Sequence, residues 1–287
     1  MAADQLLGPA EIRRLAAQLD LRPTKSRGQN FVIDANTVRM IASKAQVRPD
    51  DVVLEVGPGL GSLTLALLPL ASRVTAVEVD SVLADALPAT VERHAPELVA
   101  NLEVVTADAV TLQQLPGPAP TALVANLPYN VAVPVLLESL HRWPSISHGL
   151  VMVQKEVADR LCAQPGSRTY GVPSVKLAWY AQAQPAGVVS ASVFWPAPRV
   201  ASGLVRFERR EHTGAESLRK SAFAAIDAAF AQRRKVLRSS LKEWAGGSDE
   251  VGRILDQCGI LPIARGETLG ADDFRCLASR HSTVASA

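Results

Sequence analysis

Asp51-Val52-Val53-Leu54-Glu55-Val56-Gly57-Pro58-Gly59-Leu60-Gly61 is the stretch that decides the fold of this chain. A β-branched, apolar run of strand length breaks on glycines spaced two apart, and a helical pattern follows over about 62–70. Glycine lets the backbone turn sharply and approach a ligand with no side chain between them. The pattern then repeats. Residues 73–79 read as a second strand, 102–105 as a third, 121–125 as a fourth and 148–153 as a fifth, with helical patterns around 82–92 and 131–141. Strands that alternate with helices predict an α/β fold built on a doubly wound parallel sheet.

In such a sheet, ligands bind outside the carboxyl ends of the strands, so the residues there carry the chemistry. The second strand ends at Glu78, about twenty residues past the glycine loop, where a carboxylate can accept from two ribose hydroxyls. Asp108 follows the third strand and is placed to accept from an adenine amino group. The fourth ends in Asn126-Leu127-Pro128-Tyr129. Pro128 keeps Leu127 extended and removes one backbone N–H. An amide oxygen from Asn126, a carbonyl from Leu127 and the ring face of Tyr129 are therefore offered together. Two acceptors and a stacking surface suit a flat base with an exocyclic amine. A nicotinamide dehydrogenase fits less well, because Ser62 stands where the third glycine of G-x-G-x-x-G belongs.

Around this centre the chain reads as follows. Residues 9–20 form a short helix, and Asp34 caps another whose apolar positions are Val38, Ile41, Ala42 and Ala45. Between them lies a basic, polar segment, Lys25-Ser26-Arg27-Gly28-Gln29-Asn30-Phe31-Val32. Past Pro165-Gly166, residues 174–183 and 202–208 read as two longer strands flanking Val193-Phe194-Trp195-Pro196-Ala197-Pro198-Arg199-Val200, a hairpin with a large insertion that closes the sheet. Residues 209–217 are a polar linker. Beyond it the pattern is wholly helical, carried by Phe223, Ile226, Phe230, Leu237, Leu241 and Trp244, until Gly246-Gly247 breaks it ahead of two short helices. The tail from Ser282 is expected to be disordered.

At 287 residues and 48% hydrophobic, the chain accommodates one large domain and one small one. No apolar run is long enough to span a bilayer, and the first residues lack the pattern of a secretory signal. The three cysteines are widely separated and read as buried thiols in a reducing cytosol, while the five histidines are scattered, which argues against a metal site. The net charge of +2 hides two basic segments: six basic residues against Asp34 alone over 22–48, and eleven against five acids over 194–244. They fit a polyanion passing over one face, or ordinary solvated surface.

Leu54-Glu55-Val56-Gly57-Pro58-Gly59-Leu60-Gly61 resembles the S-adenosylmethionine loop of class I methyltransferases, and Asn126-Leu127-Pro128-Tyr129 resembles the Asn-x-Pro-Tyr motif of those that methylate exocyclic amines. With Gly28-Gln29-Asn30-Phe31 and Ala229-Phe230-Ala231-Gln232-Arg233-Arg234-Lys235, the chain resembles the KsgA/RsmA family, which dimethylates two adjacent adenosines near the 3′ end of 16S rRNA. The resemblance implies a Rossmann-like, mostly parallel seven-stranded sheet over 24–210 and a small all-α RNA-binding domain over 211–281, with an extension at 1–23 and a tail at 282–287. It also implies a monomer in the cytoplasm that needs no metal and no membrane. For the cofactor it implies Asn30, Val32, Gly57, Gly59, Glu78, Asp108 and Asn126; for the target base, Asn126, Leu127, Tyr129 and Phe194; for RNA phosphates, Arg233, Arg234, Lys235 and Arg238. Ala201 departs from the family pattern, where an Asp is common. Two related readings stay open: a large-subunit (23S) enzyme of the macrolide-resistance type, which usually carries Asn-Ile-Pro, and a ribosome-assembly factor that keeps the fold as a binding module.

Overall fold

The computed structural model describes residues 6–21, 30–211 and 214–284. Most of the basic segment at 25–32, up to Gln29, lies outside them. The strands are β1 (Phe31–Val32), β2 (Val52–Val56), β3 (Arg73–Glu78), β4 (Leu102–Thr106), β5 (Ala122–Asn126), β6 (His148–Gln154), β7 (Ala181–Val189), β8 (Phe194–Trp195) and β9 (Ser202–Arg209). Seven of them form one sheet in the order β4-β3-β2-β5-β6-β9-β7. The pairs from β4 to β6 are parallel, and β9 runs antiparallel to β6. The strand order grows outward from β2 on one side and from β5 on the other. Winding therefore reverses between these two strands, which opens a crevice at their carboxyl ends.

The five residues of β2 are all buried, as expected of a parallel strand covered on both faces. Its entry is fixed by Asp51, whose carboxylate accepts from the Arg48 N–H and the Thr121 hydroxyl, each at 2.7 Å. Asp34 caps the helix Ala35–Ala45, accepting from the Thr37 N–H at 2.7 Å, as its position predicts. The helix Pro9–Gln18 buries Ile12 and Ala16, with Leu6 and Leu7, in the same core cluster as Val53, Val74 and Val124. What reads in sequence as an extension thus contributes to the core of the sheet domain.

The chain divides into two compact units, 1–158 with 184–208, and 159–183 with 209–287. The chain crosses between them three times; the last crossing, at 208/209, lies close to the 210/211 boundary expected from the sequence, but the first two, at 158/159 and 183/184, have no counterpart there. The reason lies in the helix Val172–Tyr180, where the sequence pattern predicts a strand. Val175, Leu177 and Trp179 alternate with Lys176 and Ala178, a period of two, yet both Trp179 and Tyr180 are buried, so the helix is covered on more than one side. Pro173 sits in its first turn, where no hydrogen bond is lost, and Ser174 Oγ accepts from the Gly171 N–H at 3.0 Å. Tyr170 and Val175 join Ile226, Leu237, Phe274 and Leu277 in the second unit's own core.

Three further expectations are corrected in that unit. The helix Glu216–Ala231 stops at Gln232, so the C-terminal part is not one continuous helical run. Residues 232–236 form a turn, which Val236 closes by bridging to Arg265, before the helix Leu237–Ser240 begins. Cys258 and Cys276 are joined in a disulfide with Cα atoms 5.9 Å apart, so only Cys162 remains a thiol. Their separation of 18 residues matches no short metal or redox motif; they meet because Cys258 ends the helix Ser248–Gln257 and Cys276 lies on the adjacent helix Ala271–Val284. That last helix also carries order past Ser282, while 285–287 lie outside the described residues. No helix among the described residues is long and apolar enough to cross a membrane.

Candidate functional site

The crevice at the switch point is a cavity of about 590 Å³. Its wall includes Asn30, Val32, Gly57, Gly59, Glu78, Asp108, Asn126, Leu127 and Tyr129, so residues from five separate parts of the sequence meet there. The glycine loop forms the floor. Gly59 has φ +58°, and a Cβ there would lie 2.9 Å from the Phe31 ring, so any side chain is both strained and blocked. Gly57, at φ +72°, packs against Pro128 and thereby brings the loop to the Asn126 corner.

Glu78 is buried at the end of β3. One oxygen accepts from the Gly59 N–H at 3.2 Å, the other from the Asp80 N–H at 3.1 Å. A carboxylate offers about four lone-pair sites, so capacity remains for a diol. Burial pushes its pKa up, opposed by these N–H bonds. Asp108 is exposed and accepts from the Val110 N–H at 2.9 Å, leaving its second oxygen for a ligand donor. Asn126 donates from Nδ2 to the Asn30 carbonyl at 3.2 Å. That bond commits the nitrogen end of the amide and leaves Oδ1 as its acceptor. Tyr129 OH pairs with Ser202 Oγ at 2.8 Å, and burial raises the phenol's pKa against the opposing effect of that bond.

Phe194 is placed differently from the expectation. It is only 3% exposed, lies in the core cluster and is absent from the cavity wall. The cause is the short ribbon of β1 with β8, in which Phe194 stands opposite Val32 and Trp195 opposite Phe31. Strands of two residues are too short to read from periodicity. Arg233, Arg234, Lys235 and Arg238 are exposed in the second unit, but on and beside the 232–236 turn rather than along one helix. Arg233 is held by Glu267 at 2.8 Å and by the Arg168 carbonyl at 2.9 Å.

Two residues on the wall carry more than the sequence reading gave them. Ser62, which breaks the dinucleotide fingerprint, donates to the Val32 carbonyl at 3.0 Å and so ties β1 to the glycine loop. Glu55 is fully buried, accepts from Thr64 Oγ1 at 2.7 Å, and has its pKa pushed up to about 8, chiefly by burial. Its place in an otherwise apolar strand was the available signal. Among the described residues no group of His, Cys, Asp and Glu is arranged to hold a metal ion.

Comparison with known proteins follows the same line as this geometry. Residues 21–265 match the family model described as ribosomal RNA adenine dimethylase. Proteins named ribosomal RNA small subunit methyltransferase A are 60% identical to this chain. The one from Streptomyces griseus matches 99% of this chain and 98% of its own length, and the one from Thermobifida fusca 96% of each. Among solved structures, a dimethyladenosine transferase from Plasmodium falciparum superposes with a TM-score of 0.76 at 23% identity, covering 88% of this chain and 97% of that one. The 23S rRNA methyltransferase ErmE gives 0.65 at 27% identity, covering 88% and 99%. The fold is that of the class I methyltransferases and the cofactor is S-adenosylmethionine. This chain belongs to the ribosomal RNA adenine dimethylase family.

Proposed function

We propose that this protein methylates N6 of two adjacent adenosines in a loop near the 3′ end of 16S rRNA within the small ribosomal subunit, acting as a monomer in the cytoplasm with a part in subunit biogenesis. The observation that carries the reading is the Asn126 amide, whose nitrogen is bonded to the Asn30 carbonyl and whose oxygen is left to accept at the cavity corner. The names of relatives at 60% identity support the small subunit over the large.

When bound, S-adenosylmethionine supplies an electrophilic methyl carbon. The cavity lining suits it: Glu78 would hold the ribose hydroxyls, Asp108 the adenine amine, and the loop at Gly57 and Gly59 would admit the chain between them. Asn30 and the Val32 backbone would flank the methionine end. On the target side, the N6 lone pair of adenine is delocalised into the ring and is a weak nucleophile. Accepting its two N–H bonds on Asn126 Oδ1 and the Leu127 carbonyl favours a pyramidal nitrogen whose lone pair is free to attack. The Tyr129 ring supports the base from one side; base–aromatic stacking contributes about 1–3 kcal/mol. No strong base is needed, since the N–H becomes acidic as the bond to carbon forms. Orientation and fixed dipoles supply most of the acceleration, and orientation alone reaches roughly 7–11 kcal/mol in favourable cases. The base enters unstacked, at least cost from a loop.

Two outcomes test the assignments. Glu78→Ala lowers S-adenosylmethionine affinity by about 10- to 100-fold in calorimetry, the range for hydrogen bonds to a charged group; unchanged affinity removes the ribose role. Reversing Arg234 and Lys235 to Glu weakens subunit binding and makes its salt dependence shallower by roughly one in slope per lost phosphate contact. An unaltered slope would make the turn an ordinary solvated surface. Arg233 is left out of this test because its ion pair with Glu267 gives it a structural duty. The reading as a whole is tested with labelled S-adenosylmethionine and unmethylated 30S and 50S particles, followed by mapping of the modified nucleotide. Label in adjacent adenosines of 16S rRNA supports it. Label in 23S rRNA favours the large-subunit enzyme, and no label favours a binding module.

A further inference from the structure

Tyr129 and Ser202 are 73 residues apart in sequence, yet their hydroxyl oxygens lie 2.8 Å apart. Ser202 is fully buried and opens β9, where it stands opposite Gln154 on the last rung of the β6–β9 ladder. The adjoining Ala201 carbonyl accepts from the Lys155 N–H at 3.0 Å, so the backbone on both sides of this hydroxyl is fixed. Tyr129, by contrast, sits in the turn after β5. That turn's backbone is held by Leu127 N–H to the Met152 carbonyl at 3.0 Å and Val131 N–H to the Pro128 carbonyl at 3.1 Å. Neither bond sets the two torsions that aim a tyrosine ring. The bond at the far end of the ring does, because it anchors the phenol oxygen to a rigid strand.

We propose that Ser202 is a positioning residue that fixes the plane of the Tyr129 ring against the target base, and that it matters most for the second of two methyl transfers. The proposal rests on the function given above. In the first transfer the amine offers two N–H groups, to Asn126 Oδ1 and the Leu127 carbonyl, and these orient the base even if the ring tilts. After one methylation a single N–H remains. One of the two acceptors is then unused, and more of the orientation falls to the stacked face. A ring released from Ser202 holds the monomethylated base less well, and the enzyme stalls there.

The test compares wild type, Ser202→Ala, Tyr129→Phe and the double variant on unmethylated small-subunit particles, with mono- and dimethyladenosine followed over time by mass spectrometry. Tyr129→Phe keeps the ring and removes only its hydroxyl, so it reports on the same bond even if Ser202→Ala folds poorly. Both single variants are expected to accumulate monomethyladenosine, with the second transfer slowed by about five- to tenfold, the size of one hydrogen bond. The double variant is no slower than either single. Affinity for S-adenosylmethionine stays within about twofold of wild type in all three. A purely structural effect of Ser202 would reduce both transfers equally by lowering the active fraction. A wild-type product ratio in Ser202→Ala, or additive losses in the double variant, overturns the inference while leaving the function standing. A wild-type protein that methylates neither particle overturns both.

Discussion

Replacing Asn126 with alanine lowers methyl transfer by about 10²- to 10³-fold, the loss found when one preorganised hydrogen-bonding group aimed at the reacting atoms is removed. The direction of the amide makes the prediction specific. Its nitrogen donates to the Asn30 carbonyl, so in the proposed reaction the oxygen is the end left to meet the incoming amine. Alanine removes both ends. Asn126→Asp keeps an acceptor but loses the donor to Asn30, and the charged group loosens β1 from the corner; its rate falls between those of wild type and alanine. In the proposed arrangement cofactor binding rests mainly on the glycine loop and on Glu78 and Asp108, so the affinity of Asn126→Ala for S-adenosylmethionine is expected to stay within about tenfold of wild type. Single-turnover rates with saturating cofactor, set beside calorimetric affinities, separate the two effects. A variant that turns over at the wild-type rate refutes the positioning of the amine.

The second large effect is on stability and belongs to Glu55. Its pKa is raised from 4.5 to about 8, with burial as the main cause, the Thr64 hydroxyl opposing it and Glu78 adding to it. In the folded protein Glu55 therefore holds its proton through neutral pH, while in the unfolded chain it releases it near 4.5. The folded state binds the extra proton between these values, so this group's contribution is fully present below about pH 4.5 and is lost as pH rises through about 8. A displacement of that size corresponds to at most about 5 kcal/mol. Glu55→Gln keeps an acceptor for Thr64 and has nothing to ionise. Its thermal midpoint should exceed that of wild type increasingly from pH 5 to pH 9, reaching a difference on the order of 10 °C. Subtracting one curve from the other cancels the remaining titrating groups. Parallel curves would show that Glu55 is ionised in the folded protein.

The parallel sheet was legible because β2, β3 and β5 are almost wholly buried and stop at a glycine, an acid and an asparagine, each of which marks a strand end in the residues themselves. The glycine loop, Glu78, Asp108 and the Asn126 corner were legible for the same reason, and they meet in one cavity. Where reading failed, side chains pointed in directions that local pattern does not encode. Val175, Leu177 and Trp179 alternate like a strand but belong to a helix whose cover comes from residues around 225–277. Phe194 was drawn into the core by a two-residue ribbon with Val32, a pairing formed across more than 160 residues. The basic run at 233–235 looked like a helix face because nothing in its own sequence shows that Val236 bridges to Arg265. Ser62 entered the sequence reading only as a break in the glycine pattern, and Ser202 only as the first residue of a strand, because a serine's partner is visible only once the chain is folded. Their hydroxyls tie the cavity rim to the sheet.

Methyl transfer as proposed requires the cavity at the sheet's switch point to set an adenine amine against the methyl of its donor. The most direct measurement is a crystal structure of the protein with a non-reactive analogue of S-adenosylmethionine and an adenosine-containing oligonucleotide. It should show the ribose hydroxyls on Glu78, the adenosine amine on Asn126 Oδ1 and the Leu127 carbonyl, and N6 about 3–3.5 Å from the position of the transferred carbon. A donor lodged away from the Asn126-Leu127-Pro128-Tyr129 corner, or an adenine amine turned away from Asn126, would contradict it.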